Sequence, residues 1–187
     1  MKKFLGLLAV AVSVLMAFGI VSKRAEANKA MFSTGSQDEL EVAKRISLDI
    51  LRDRAAQRAI GNVDDYQVRK VEIDELRMAH TRVRQTVDGI PVWEGEAIVH
   101  LDAEGRLTTI TDDLKETVAV NTKANISEKQ ALRYAMNAYS GKARMTDSPQ
   151  IEMYIYRGAD RDHLVYRVET PRLDGSADTS APVVFVD

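Results

Sequence analysis

The chain has 187 residues, of which 45% are hydrophobic and 29% charged, with a formal net charge of -2. That balance fits a folded chain of one or two small domains and gives no reason to expect nucleic acid as a partner. There is no cysteine, so a disulfide framework, a thiolate zinc site and a thiol nucleophile are excluded, and the core must rest on packing of Val, Ile, Leu and Met.

The first predicted element is an address. Lys2 and Lys3 precede an uncharged apolar run from Phe4 to Val21, and Ala25-Glu26-Ala27 supplies the small residues of an A-x-A cleavage site. This is the layout of a secretory signal peptide over residues 1–27, cut between Ala27 and Asn28. The alternative is an uncleaved membrane anchor, since the run is about long enough to span a bilayer. Both place the rest of the chain outside the cytoplasm, and the membrane enters only through this segment.

Residues 28–35 lack a period and read as a flexible lead-in. Ser36-Gln37-Asp38-Glu39 is a capping box that starts a helix. Leu40, Ala43, Ile46, Ile50 and Leu51 form its apolar stripe, Lys44, Arg45, Arg52, Arg54 and Arg58 its basic face, and Gly61 its stop. From Tyr66 the period becomes two. Strands are expected over 66–73, 81–87, 90–93, 96–102 and 106–110, with a hairpin turn at Asp88-Gly89 and another turn at 102–105. A polar linker, 117–124, separates the two halves. Ser127-Glu128-Lys129-Gln130 is a second capping box with Ile126 as staple. Its helix has the stripe Ala131, Leu132, Ala135 and Ala138, and Gly141 ends it. Three strands follow, with Ile151, Met153 and Ile155 on one face, Leu164, Tyr166 and Val168 on another, and a last run at 183–186. The expected fold class is α+β: two small units, each a helix packed on an antiparallel sheet, over 36–116 and 125–187.

One constellation stands out. His80, Arg82, Gln85, Gly89, Pro91, Val92, Glu96, Val99 and His100 follow one another in fixed order between about Val63 and Leu114. This order resembles the FTP motif of fungalysin- and thermolysin-type metalloprotease propeptides. Residues 125–187 are similar to the PepSY module that usually follows it. The resemblance implies a module that assists folding of a thermolysin-like zinc metalloprotease domain, in cis or in trans, and inhibits it until removed. It also implies that the nine positions are fold markers and that the module has no cofactor and no metal.

Catalysis by this chain is not expected. A thermolysin-type centre needs two His one helical turn apart with an adjacent Glu, and the three histidines, His80, His100 and His163, lack that spacing. His80 and His100 lie on neighbouring predicted strands, where hydrogen-bonded structural histidines are favoured over a two-ligand metal site. Glu96 and Arg82 read as a cross-strand ion pair. Asp64-Asp65, Asp112-Asp113 and Asp160-Arg161-Asp162 read as loop acids without the ordered oxygens of a calcium loop. The chain ends at Val184-Phe185-Val186-Asp187, near where a propeptide would meet its enzyme, which fits a truncated precursor or a free-standing regulator. The alternative is a cell-envelope binding or structural domain of PepSY type, unrelated to proteolysis.

Overall fold

A computed structural model describes residues 30–58, 60 and 66–187; the signal-peptide reading, the cut after Ala27, Gly61 and Asp64-Asp65 lie outside them. The elements run α1 (Gln37–Arg58), β1 (Tyr66–Ile73), β2 (Ala79–Val87), β3 (Ile90–Leu101), β4 (Leu107–Asp112), α2 (Glu128–Ala138), β5 (Gln150–Arg157), β6 (Asp162–Glu169) and β7 (Val183–Val186). The fold is α+β, as its patterning indicates. The strands of the two halves join, however, into one mixed sheet of order β1-β2-β3-β5-β6-β7, with β4 also on β3. All pairings are antiparallel except β3 with β5, which meet in parallel at Val92 and Ile155.

The capping box of α1 forms. Glu39 N–H donates to Ser36 Oγ at 3.3 Å, and the Glu39 carboxylate accepts from the backbone N–H groups of Ser33, Thr34, Gly35 and Ser36. These bonds, led by that from Thr34, hold the Glu39 carboxyl at about 2. The lead-in expected to be flexible is therefore tied down over residues 31–35. Phe32 is fully buried, and the Met31 and Phe32 N–H groups both donate to Ala103 O in the β3–β4 turn. The buried stripe of α1 is Ala43, Ser47, Leu51 and Ala55, with Ile46 and Ile50 flanking it. Ser47 replaces an expected aliphatic and satisfies its hydroxyl by donating to buried Thr81 Oγ1 at 2.9 Å. The helix covers Ala79, Val83, Ala97, Val99 and Leu101 of β2 and β3.

The capping box of α2 also forms, between Ser127 and Gln130. Its buried stripe is only Ala131 and Ala135, over Ile151, Met153, Tyr166, Val168, Val184 and Val186. Ala138, expected in the stripe, is exposed. The helix ends at Ala138, before Gly141, because Tyr139 turns extended and its ring occupies the space beside Gly141. Leu164, Tyr166 and Val168 pair with Ile155, Met153 and Ile151, so both sets lie on the same face.

β3 is one strand, where the sequence suggested two. Its pairing with β2 passes from Thr86↔Pro91 to Arg84↔Glu96, so β2 advances two residues while β3 advances five. Three extra residues thus bulge from β3. Gln85 fills the bend: its Nε2 donates to Lys115 O at 2.9 Å and its Oε1 accepts from Lys115 N–H at 2.8 Å. Gly95 lies against it, where a Cβ would come within 3.2 Å of both Gln85 and Val92. The same bonds anchor the chain after β4. The predicted linker is pinned further on: Ala119 N–H donates to Asp162, Arg157 to Thr117 O, and Thr122 to Asp88.

Asp112, read from sequence as a loop acid, is a buried clamp. Its carboxylate accepts from Arg54 at 2.6 Å and Arg58 at 2.7 Å, fastening the last turns of α1 over β4. Burial alone would raise this carboxyl, but the hydrogen bonds and charges of Arg58 and Arg54 outweigh it and hold it below the usual range. A carboxyl depressed on folding contributes stability above its unfolded value, near 3.9, and loses it as pH falls through the folded value. Asp112→Asn is therefore expected to cost about 2 kcal/mol in urea unfolding at neutral pH, with the difference from wild type shrinking below about pH 4. Gln85→Ala, which strands both backbone groups of Lys115, is expected to cost a further independent ~2 kcal/mol in the same assay.

Candidate functional site

Both helices lie on one side of the sheet, and the other side, called the bare side below, is covered by neither helix, although Tyr154 and Val165 are buried there. Ile155 shares its face of β5 with Ile151 and Met153, which pack under α2, and pairs with Val92 of β3, whereas Arg84, on the opposite face of β2 from Val83 under α1, reaches Tyr154 on the opposite face of β5. The nine motif positions divide accordingly. Gln85, Val92 and Val99 are buried and serve the core and the bulge. Asp88 and Gly89, with φ of 50° and 78°, make the tight hairpin turn that needs left-handed backbone at both positions. Pro91 sits opposite Thr86 at the start of β3. His80, Arg82, Glu96 and His100 face outward on the bare side.

His80 and His100 stand directly opposite each other on β2 and β3. Their Nδ1 atoms are 2.8 Å apart, and their rings meet edge to face. His80 Nε2 lies 3.0 Å from Asp74 Oδ2, and the bond from His80 pulls the Asp74 carboxyl below its ordinary value. Burial, with a smaller push from His80, lowers the His100 imidazole. Among the described residues, no group of three or more His, Asp and Glu side chains is close enough to hold a metal ion.

Arg82 reaches Glu96 at 3.4 Å, the ion pair read from the sequence. Directly opposite Glu96, however, is Arg84, whose Nη1 also donates to Tyr154 Oη at 3.2 Å and lies 3.9 Å from Glu152. Tyr154 in turn donates to Glu152 at 3.0 Å, and burial together with that carboxylate raises its phenol. Trp93, thrown out by the β3 bulge, meets Tyr154 and Phe185 edge to face at 5.4 and 5.0 Å, with Arg167 over its ring. Of these, Arg82, Arg84, Trp93, Glu96, Tyr154 and Arg167 line a cleft of about 760 Å³ on β3, between the end of β4 and strands β5 and β6. Its walls mix cations (Arg82, Arg84, Arg167) with acids (Glu94, Glu96, Glu169) around an indole. Such a surface suits a polar partner with apolar anchors and holds no nucleophile–base pair.

The sequence pointed to Arg82 and Glu96 but missed Arg84, Trp93, Tyr154 and Arg167. Only the register after the bulge puts Arg84 opposite Glu96, and only the β3–β5 pairing brings Trp93 to Tyr154.

Among the described residues, no helix is long and apolar enough to cross a membrane. Residues 64–114 match the family model described as the Fungalysin/Thermolysin Propeptide Motif. The chain is 29% identical over 127 residues to a Bacillolysin of Brevibacillus brevis, covering 63% of this chain and 24% of that protein. It is 24% identical over 118 residues to a Bacillolysin of Bacillus cereus, covering 60% and 21%. A Transglutaminase-activating metalloprotease of Streptomyces mobaraensis is 24% identical over 172 residues, covering 80% and 23%, which extends well beyond the motif. The chain thus spans about a quarter of the length of these relatives, and within it β1 to β4 carry the propeptide motif.

Proposed function

We propose that this chain is a propeptide-like module that assists the folding of, and inhibits, a thermolysin-type zinc metalloprotease domain, in cis or in trans. The observation that carries this reading is the motif match over 64–114, supported by likeness to metalloproteases over a stretch longer than the motif. The module acts by docking and performs no bond cleavage itself. The signal-peptide layout of residues 1–27 supports export of the chain to the compartment where such enzymes mature. The helix and three antiparallel strands from 128 to 186 support reading 125–187 as a PepSY-like unit.

The bare face of the sheet is the docking surface in this proposal. It offers an area uncovered by either helix, with Trp93, packed on the buried Tyr154, as its aromatic anchor and arginines and glutamates around it. Of the nine motif positions, Arg82, Val92 and Glu96 line the cleft, and the others serve it indirectly, through the bulge, turn and register that set it.

Mixed with a thermolysin-like protease, the chain is expected to inhibit it and form a complex in the micromolar range or below. Trp93→Ala is expected to weaken inhibition by about tenfold while leaving the circular-dichroism spectrum unchanged. Absence of both inhibition and complex would overturn the proposal.

A further inference from the structure

The contact between His80 and His100 has a property that neither the motif nor the docking role requires. Two imidazole Nδ1 atoms at 2.8 Å share one proton: one ring donates N–H and the other accepts with its lone pair. Asp74 fixes which arrangements are open. Its carboxylate takes a hydrogen bond from His80 Nε2. A neutral His80 then keeps its lone pair on Nδ1 and accepts from His100. A charged His80 donates from both nitrogens, and His100 accepts. The contact survives zero or one added proton and fails with two, because two imidazolium N–H groups then point at each other.

The charged neighbours leave little relief for a second charge. On β1, Lys70 and Glu72 face the pair and form an ion pair with each other. On β2, Arg82 adds a second cation, itself paired with Glu96. On β3 the neighbour is Ile98, and on β4 the residue opposite His100 is Thr109, neither charged. Among the described residues, Asp74 is the carboxylate hydrogen-bonded to either ring; it lies on the far nitrogen of His80, away from His100, while Glu72 stands opposite His80 on β1 and is itself paired with Lys70. The lowered His100 imidazole agrees with this geometry.

We propose that His80 and His100 form a pH-responsive latch between β2 and β3, closed while at least one ring is neutral and opened when acidification charges both. The latch sits in the run that pairs Ala79↔Leu101 through Arg84↔Glu96. Opening it loosens the strands that carry Arg82, Arg84 and Glu96 into the cleft. The sign follows from linkage. A histidine whose folded value lies below its unfolded value, about 6.5, binds its proton more readily unfolded. Folding stability then falls as pH drops below that value and levels off under the folded one, by about tenfold in the folding constant per unit of depression.

The latch does not rest on the docking role, and its test reads the chain alone. Urea unfolding of the 187-residue chain is followed from about pH 8 to about pH 4.5, beside His100→Gln and His80→Gln. Carboxylate titrations are common to the wild type and His100→Gln and cancel in that comparison, whereas His80→Gln also releases Asp74 from its bond with His80. The wild type is expected to lose at least about tenfold more in folding constant than His100→Gln between about pH 6.5 and pH 5. Imidazole ¹H–¹⁵N spectra of the wild type should show His100 taking its proton below about pH 6.5, and His80→Gln should move that midpoint upward. Parallel stability curves for all three chains, or a His100 midpoint at or above the ordinary value, would overturn the proposal.

Discussion

The three-residue bulge in β3 is the constraint on which the other features depend. A two-residue turn at Asp88-Gly89 that pairs Val87 with Ile90 would, without interruption, set His80 opposite Ala97. The bulge shifts the pairing so that His80 meets His100 and Arg84 meets Glu96. Since three is odd and side chains alternate faces, it also restores the apolar positions of β3 to the helix side. Ala97, Val99 and Leu101 lie under α1 for this reason. Gln85 and Gly95 maintain the bend, one by bonding Lys115 and the other by leaving room for it.

The same bulge links the two halves. It releases Val92 from β2 so that it pairs with Ile155, and it sends Trp93 toward Tyr154 and Phe185. One edge of β3 is thereby divided between β4 and β5, and a cleft opens where the two strands part. A motif that reads as a list of fold markers is thus connected to the candidate surface through backbone geometry. His80, Arg82, Glu96 and His100 are its outward members, and Gln85, Val92 and Val99 its buried ones.

Local signals were legible in the chain. Both capping boxes and the Asp88-Gly89 turn depend on neighbours within a few residues and appear where they read, as do the period-two strands other than β3. Signals that depend on distant partners were not. Ser47 interrupts an apolar stripe because Thr81, far along the chain, receives its hydroxyl proton. Asp112 is buried because two arginines of α1 arrive over it. The bulge gave no composition cue beyond Gly95, so β3 read as two strands, and the parallel join to β5 could not be foreseen. The basic face of α1 is likewise not one surface: Lys44 and Arg52 pair with Glu41 and Asp49 on the helix itself, while Arg54 and Arg58 turn to Asp112.

The separateness of the two apolar clusters bears on how this molecule assembles. One gathers α1 with β1 to β4, and the other gathers α2 with β5 to β7. Each is closed mainly by segments adjacent in sequence, the kind of contact that forms quickly because little chain entropy is lost in closing the loop. The halves can therefore act as separate nuclei, and their seam is narrow: the backbone pair Val92 and Ile155, with the indole of Trp93 laid across it against Tyr154 and Phe185.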